Sequence, residues 1–244
     1  MEWSEDRFLG GRIVVRQPLD GFRSGTDAVM LAAAVPPNAG DELLEIGSGV
    51  GVASLCLAAR VDGCTIAGVE VAAELVALAQ ANARLNQLDQ RVRFEPADGL
   101  RLPQHLRKSF DHVFCNPPFH GSAGEISPNE DRARALIDRD GLGRWIATAL
   151  ARVSAGGTLT LILRADRLGE ALQALPQHGV TIFPLWRRER APAKRTILQI
   201  RKSSRAPPVL LPGLVLHDES GCYTPEADAV LRGAASLALL TPHR

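Results

Sequence analysis

The feature that most constrains the fold is a buried strand that runs directly into a glycine-rich turn and then into a helix. The strand covers Glu42–Ile46, the turn covers Gly47–Gly51, and the helix begins at Val52. This order lets backbone amides approach a nucleoside-containing ligand closely. The glycine spacing is G-x-G-x-G, which differs from the dinucleotide fingerprint G-x-G-x-x-G. The sequence therefore predicts an α/β domain with a ligand at this turn.

Strands and helices keep alternating after the turn, which is typical of a mostly parallel sheet covered by helices. The last two predicted strands, 180–185 and 195–201, are too close in sequence for a helical crossover and should pair antiparallel. The 244 residues hold one such domain with modest additions. We expect an N-terminal extension over 1–40 (a hairpin and a helix), a core over 41–205 and a C-terminal extension over 206–244.

Acidic residues follow two further strands. Glu70 ends the second strand, about twenty residues beyond the glycine turn, where a carboxylate accepts hydrogen bonds from ribose hydroxyls. Asp98 follows the third strand and is placed for a purine amino group. Because the carboxyl ends of parallel strands meet at one edge, both acids should lie near the glycine turn.

The strongest signal is Asn116-Pro117-Pro118-Phe119, at the end of the fourth strand. Two prolines fix φ near −65° and remove two backbone donors, so this turn is stiff and its carbonyls are free to accept hydrogen bonds. With the Asn116 amide and the Phe119 ring, the turn suits a planar amino group. A proline-stiffened surface turn is the plain alternative, but it does not explain why the turn shares its edge with Glu70 and Asp98.

These motifs together resemble the class I S-adenosylmethionine-dependent methyltransferases that act on amino nitrogens. Two more stretches, Gln17–Leu31 and Leu214–Glu226, are similar to the N-terminal and closing segments of the bacterial tRNA1(Val) (adenine-37-N6)-methyltransferase family. The resemblance covers nearly the whole chain. Phe119 stands where many members carry tyrosine, so stacking on a base is kept and a phenol hydrogen bond is lost.

The resemblance implies a Rossmann-like α/β fold with a seven-stranded, mostly parallel sheet whose last strand is antiparallel. It also implies S-adenosyl-L-methionine as cofactor and methyl transfer to N6 of an adenine in tRNA, at position 37 of a valine tRNA. No metal is expected. The implied cofactor-binding residues are Thr26, Asp27, Glu45, Gly47, Gly49, Gly51, Glu70, Asp98 and Asn116. By itself, Asp27 fits a helix-capping role.

The implied catalytic residues are Asn116, Pro117 and Phe119. The Asn116 side-chain oxygen and the Pro117 carbonyl would each accept one N6 hydrogen, and Phe119 would stack on the base. The target base must leave its stack. We expect the loop 120–139 to close over it.

A basic segment follows the penultimate strand. Residues 186–205 hold eight basic residues and one acid, although the net charge of the chain is only +1. Such a segment beside a tryptophan suits a phosphate backbone, and a solvated hairpin tip fits the charge equally well. The candidate RNA contacts are Arg187, Arg188, Arg190, Lys194 and Arg195.

Other substrates use the same kind of turn. Relatives methylate N2 of guanine in ribosomal RNA, a protein glutamine, or adenine in DNA, and the N-terminal signature and the basic segment favour RNA. An alternative of another class is a non-catalytic, cofactor-binding RNA-interaction module, which would have no use for the acceptor pair. The sequence shows no signal-peptide pattern and no long apolar run, so we expect a cytoplasmic protein.

Overall fold

The computed structural model describes residues 2–117 and 141–239. The chain opens with an antiparallel hairpin of β1 (Trp3–Phe8) and β2 (Ile13–Pro18), followed by helix α1 (Thr26–Ala34). The hairpin and the helix predicted for the first forty residues are both present. Helix α1 is alanine-rich and buried along its length from Ala28 to Ala34, because small side chains let it pack closely against its neighbours.

The start of α1 differs from the sequence expectation. Serine and threonine are typical N-cap residues, so the sequence predicts that Ser24 or Thr26 caps this helix. The N-cap is instead Gly25, and no side chain caps the helix. Ser24 is held instead by Gln17, whose side chain accepts from the Ser24 N–H and donates to the Ser24 carbonyl. Gln17 is buried, so this pair of hydrogen bonds fixes how the chain enters α1.

Nine strands of the described residues form one sheet. Besides the hairpin, the strands in chain order are β3 (Glu42–Ile46), β4 (Thr65–Glu70), β5 (Val92–Pro96), β6 (Phe110–Cys115), β7 (Val153–Arg164), β8 (Val180–Trp186), β9 (Arg195–Arg201), β10 (Val209–Leu210) and β11 (Leu214–Val215). Their spatial order is β10-β8-β9-β7-β6-β3-β4-β5, and β11 also pairs with β8.

Strand β9 is antiparallel to both β7 and β8, and the other neighbouring strands of this sheet are parallel. The predicted Rossmann-like α/β fold, with an antiparallel last core strand, is confirmed. The seven strands β3 to β9 are those expected. The two-residue strands β10 and β11 extend the sheet beyond β8, so the predicted count of seven is two short.

Helices cover both faces of the sheet. They are α2 (Val52–Arg60), α3 (Ala73–Leu85), α4 (141–151), α5 (Leu168–Ala174) and α6 (Pro225–Leu231). Residues of α1, α2 and α3 share one buried apolar cluster, and residues of α4 and α5 share the other. Neighbouring residues of β3 fall in different clusters, with Leu43 in the first and Leu44 in the second. Strands buried on both faces have nearly continuous apolar sequences, as β3 does.

The sheet order reverses between β3 and β6. The chain runs from β3 outward to β4 and β5, and then returns to place β6 on the other side of β3. In open α/β sheets, ligands bind beyond the carboxyl ends of the strands at such a point. Glu45 of β3 pairs with Gly68 of β4 and Phe114 of β6. The three strands therefore deliver the residues that follow them to one edge.

The C-terminal segment is anchored to β11, an outer strand of the sheet. The Thr224 hydroxyl caps α6 by accepting from the Ala227 N–H at 3.2 Å, and it donates to the Val215 carbonyl at 2.7 Å. Pro225 occupies the first turn of α6, where its missing N–H costs nothing. The division into a core over 41–205 and two extensions stays a prediction.

Candidate active site

The glycine-rich turn after β3 adopts a backbone that requires glycine. Gly47, Gly49 and Gly51 have φ angles of 76°, 53° and 90°. Such values are strained for residues with a side chain. The N–H groups of Gly47 and Ser48 both donate to the Val69 carbonyl at 2.9 Å. The turn is therefore fastened to the end of β4.

The three glycines meet different surroundings. A Cβ atom on Gly51 would lie 2.5 Å from the Phe94 ring, so close packing against β5 demands glycine there. A Cβ atom on Gly49 would meet nothing within 4 Å. Gly49 therefore faces open space that a ligand can approach, whereas Gly51 has a packing reason to be glycine.

Glu70 lies beside the glycine turn, as the sequence predicts. One carboxylate oxygen accepts from the Gly49 N–H at 3.0 Å, and the other accepts from the Ala72 N–H at 3.1 Å. The next residue, Val71, is 54% exposed. An exposed apolar side chain beside a carboxylate suits a nucleoside, whose base is flat and whose sugar carries hydroxyls. Sequence reasoning missed Val71, although its position directly after Glu70 could have indicated it.

Asp98 follows β5 at the same edge. Its side chain accepts from the Leu100 N–H at 2.9 Å, and a third of it is exposed. Gly99 packs tightly here, since a Cβ atom on it would lie 2.4 Å from Ile46 and 3.2 Å from Trp145. This packing fixes Asp98 at the rim of the edge, with part of its carboxylate open to a ligand.

Trp145 was not predicted from the sequence. Its indole ring comes from α4 and reaches within 3.4 Å of the Cβ position of Gly47, as well as touching the Cβ position of Gly99. The ring therefore bridges the turns after β3 and β5 and shapes the floor of the candidate cofactor site. Because the contact joins residues far apart in the chain, no local spacing signals it.

Glu45 lies beneath the turn and is buried. Its carboxylate accepts from the N–H of Ser54 at 3.2 Å and, in a short hydrogen bond, from the Ser54 hydroxyl. Burial raises the pKa of Glu45 to about 8, although the hydrogen bonds from Ser54 oppose the shift. Glu45 thus ties β3 to the first turn of α2 and supports the glycine turn from below.

Asn116 and Pro117 follow β6 on the same edge. Pro117 is buried and Asn116 is partly buried. The Oδ1 atom of Asn116 is buried and has no hydrogen-bond partner within the part of the chain that the structure describes. Such atoms are rare in folded proteins, because an unpaired buried acceptor costs about 1–3 kcal/mol. This oxygen is therefore an acceptor available to a ligand donor. Phe119 and the loop 120–139 lie outside the described residues.

Asp27 and Arg195 form an ion pair with each other. The Nε atom of Arg195 donates to the Asp27 carboxylate at 2.6 Å, and both side chains are about one-third exposed or less. Arg195 begins β9 and pairs with Arg164 at the end of β7, which places the ion pair on the same edge of the sheet. The structure therefore joins a residue predicted for the cofactor to one predicted for RNA. Thr26 precedes Asp27 at the start of α1.

The other predicted RNA contacts lie on the hairpin tip between β8 and β9. Arg187, Arg188, Arg190 and Lys194 are exposed. Since β8 runs parallel to β7, this tip leaves the sheet at the same edge as Asn116 and Glu70.

No metal-binding group of three His, Cys, Asp or Glu side chains occurs among residues 2–117 and 141–239. None of the described helices is long and apolar enough to cross a membrane.

Residues 21–167 match the family of the methyltransferase small domain. The chain belongs to this family. The predicted relationship to the class I methyltransferases is therefore confirmed. This methyltransferase is similar to the tRNA1(Val) (adenine(37)-N6)-methyltransferase of Haemophilus influenzae strain 86-028NP, with 28% identity over 153 residues, 62% of this chain and 66% of that protein. The tRNA1(Val) (adenine(37)-N6)-methyltransferase of Actinobacillus succinogenes is 24% identical over 206 residues, which cover 84% of this chain and 86% of that protein. The chain thus spans just under two thirds of the length of the Haemophilus relative.

Solved structures share the fold of this methyltransferase. A protein from Agrobacterium tumefaciens, described as a predicted O-methyltransferase, superimposes with a TM-score of 0.72 and 25% identity, covering 86% of this chain and 98% of that chain. TrmN from Thermus thermophilus gives a TM-score of 0.52 and 20% identity, covering 72% of this chain and 48% of that chain. At that level of identity, the Thermus structure supports the fold alone.

Proposed function

We propose that this chain is an S-adenosyl-L-methionine-dependent methyltransferase that acts on N6 of an adenine in tRNA, at position 37 of a valine tRNA. The observation that carries the proposal is the buried, unpartnered Oδ1 atom of Asn116 within the described residues. It lies on the sheet edge that also bears Glu70 and the open face of Gly49. The names of the relatives support the choice of tRNA.

The residues at this edge fit the cofactor. Glu70 would accept from the ribose hydroxyls, because each carboxylate oxygen has lone pairs beyond the one that its backbone hydrogen bond uses. Asp98 would accept from the adenine amine of the cofactor, and Val71 would cover the base. Gly49 leaves room for the methionine portion. When bound, S-adenosyl-L-methionine supplies an electrophilic methyl group.

Asn116 and Pro117 would orient the acceptor. The lone pair of an aromatic amine is delocalised into its ring, so N6 is a weak nucleophile. The Asn116 Oδ1 atom and the Pro117 carbonyl would each accept one N6 hydrogen and thereby aim the lone pair at the methyl group. Orientation of this kind contributes strongly to rate. The N6–methyl bond would form as the sulfonium–methyl bond breaks, and S-adenosylhomocysteine would leave. The methylated nitrogen would carry a positive charge and release one proton readily to water, so the reaction needs no general base.

By the resemblance, Phe119 would stack on the target adenine. The basic hairpin tip would hold RNA phosphates. We also propose a cytoplasmic location, which a tRNA substrate supports.

The test is to find what the protein methylates. Purified protein is incubated with radiolabelled S-adenosyl-L-methionine and, separately, with RNA, DNA and protein from cells that lack the gene. The labelled fraction is digested and its modified unit is identified by mass spectrometry. We expect N6-methyladenosine in the tRNA pool, mapping to position 37.

Other results would contradict the proposal in different ways. Label as N2-methylguanosine in ribosomal RNA, as methylglutamine in protein or as methyladenine in DNA would keep an amino acceptor at Asn116 and change the substrate. Cofactor binding without label in any fraction would favour a non-catalytic binding module.

A further inference from the structure

A cavity of about 460 Å³ lies at the β8–β9 hairpin, away from the turns assigned to the cofactor. Its described lining consists of Trp186, Glu189, Arg190, Ala191, Pro192 and Val215. Its lining is mostly apolar and includes one aromatic, one acidic and one basic residue. None of these groups has a role in methyl transfer as proposed above.

The indole of Trp186 is held in a fixed orientation. Its Nε1 atom donates to the Pro212 carbonyl at 2.9 Å, and β11 pairs with β8 so that Val215 lies opposite Trp186. Gly213 makes this close approach possible, because a Cβ atom on it would lie 2.2 Å from the Pro184 carbonyl oxygen. With its polar atom satisfied by the C-terminal segment, the ring presents an apolar face to the cavity.

The chemistry of the cavity matches a nucleobase. A base stacks on an aromatic ring through its π face, whatever its identity. Its edge carries both donors and acceptors, and Glu189 and Arg190 supply the complementary acceptor and donors. Arg187, Arg188 and Lys194 belong to the same hairpin and are exposed, so they add positive charge that suits the phosphates that accompany a base.

The position of the cavity is consistent with RNA that also reaches Asn116. Strand β8 is separated from β6 by β9 and β7. Three strand spacings amount to about 14 Å across the sheet. Both sites face the same edge, so one strand of RNA can extend from one to the other, but a single base cannot occupy both.

We propose that this cavity binds a nucleobase of the RNA substrate other than the base that is methylated. This inference rests on the proposed function, since it needs an RNA substrate. It assigns Trp186 as a stacking platform, with Glu189 and Arg190 at the edge of the base.

The test separates base contacts from phosphate contacts. A short single-stranded RNA that contains the target sequence is compared with an abasic strand of the same length, which keeps the phosphates and lacks the bases. Stacking on one aromatic side chain contributes about 1–3 kcal/mol, roughly five- to 150-fold in affinity. We expect Trp186→Ala to weaken RNA binding within this range and to leave binding of the abasic strand unchanged.

Trp186→Phe should retain most of the RNA affinity, because it keeps an aromatic face. Trp3→Ala is the matched control, since Trp3 is 44% exposed on β1 and has no place in the proposal. Thermal unfolding of each variant shows whether a loss of RNA affinity comes from misfolding. If Trp186→Ala misfolds, the RNA affinities of Trp186→Phe and Trp186→Leu are compared instead, because only the first keeps an aromatic ring.

Equal RNA binding by Trp186→Leu and Trp186→Phe would overturn the inference, as would equal weakening of RNA and abasic binding. These results leave the proposed function intact if the wild-type protein still methylates RNA. A wild-type protein that neither binds nor methylates RNA overturns both proposals.

Discussion

Glu45 and Glu70 are two carboxylates near the same glycine turn, yet their surroundings give them different roles. Glu70 lies at the tip of β4 and accepts from two backbone N–H groups, with further acceptor capacity toward the open edge. Glu45 is buried beneath the turn, its pKa is raised to about 8, and its hydrogen-bond donors both belong to Ser54. Glu70 is therefore the carboxylate that a cofactor can reach, while Glu45 shapes the turn from below.

The raised pKa of Glu45 makes stability depend on pH. Between the ordinary pKa near 4.5 and the folded pKa near 8, the folded protein retains a proton that the unfolded chain has released. The contribution of protonated Glu45 to the free energy of unfolding is therefore fully present below pH 4.5, and it is lost as the pH rises through 8. The free energy of unfolding of the wild type, minus that of Glu45→Gln, should fall by up to about 1.4 kcal/mol per pH unit in this window.

Urea denaturation of both proteins at pH 5, 6, 7 and 8 checks this difference. Glu45→Gln is a matched variant because its amide keeps the size of the side chain and does not titrate. A difference that grows with pH would mean that Glu45 is ionised in the folded protein.

Local spacing was enough to predict that Glu70 and Asp98 lie at one edge, because Glu70 ends β4 and Asp98 lies two residues beyond β5. Their roles toward a cofactor stay predictions. Local spacing could not show that close packing requires glycine at position 51, since the Phe94 ring that would contact a Cβ atom there comes from β5. Trp145 was missed for the same cause: it meets Gly47 only after α4 has folded onto the sheet. Contacts between distant parts of the chain depend on the fold and not on local spacing.

At the scale of elements, α3 connects the N-terminal hairpin to the glycine turn. Asn82 accepts from the Arg16 N–H at 2.9 Å and donates to the carbonyls of Arg16 and Val50, each at 3.0 Å. Asn86, one turn later, makes the equivalent pair of bonds with Val14. The two side-chain amides thus form hydrogen bonds with the β2 backbone of the kind that a neighbouring strand would form. Asn82 also holds the Val50 carbonyl in the glycine turn.

Asn82→Ala should destabilise the fold by about 2–4 kcal/mol, because it leaves several backbone groups without partners in a buried setting. It should also weaken cofactor binding, since the Val50 carbonyl loses its donor. Chemical denaturation and calorimetric titration with S-adenosyl-L-methionine measure the two effects. Asn38→Ala is the control, since Asn38 is exposed. Wild-type stability in Asn82→Ala would show that α3 does not support the hairpin in this way.

Elements were predictable where the apolar pattern was strong. Strand β9 has the predicted bounds Arg195–Arg201, and β8 extends one residue beyond its prediction. Strand β10 was harder, because it has two residues and forms only by pairing with β8. Strand β11 lies within the short strand that the sequence predicts at 213–217. The start of α1 was mispredicted because no side chain caps the helix, and Gln17, from the preceding strand, holds the Ser24 backbone instead.

At the scale of the whole molecule, charge is unevenly distributed. The chain carries a net charge of +1, yet the hairpin tip between β8 and β9 concentrates exposed arginines on the edge that holds the candidate active site. RNA binding should therefore depend on this one region and on salt.

Reversing Arg187, Arg188 and Arg190 to glutamate should weaken tRNA binding. It should lower the slope of log affinity against log salt concentration by about 1.4, because Arg187 and Arg188 are assigned to phosphates and Arg190 to a base edge. Cofactor affinity should not change. Reversing Arg12, Arg84 and Arg93, which are exposed elsewhere, gives a control with the same net charge. Equal effects of the two triple variants would mean that net charge, and not the hairpin, governs binding.

The most direct test of the central claim is Asn116→Ala, with cofactor affinity and turnover measured on the same preparation. The Asn116 Oδ1 atom has no partner within the described residues, so removing this oxygen breaks no hydrogen bond within them. Its dissociation constant for S-adenosyl-L-methionine should stay nearly unchanged, while turnover on tRNA should fall by about a hundredfold or more through lost orientation of N6. Normal turnover, or a loss fully accounted for by weaker cofactor binding, would contradict the role of Asn116 as the acceptor that positions the amino group.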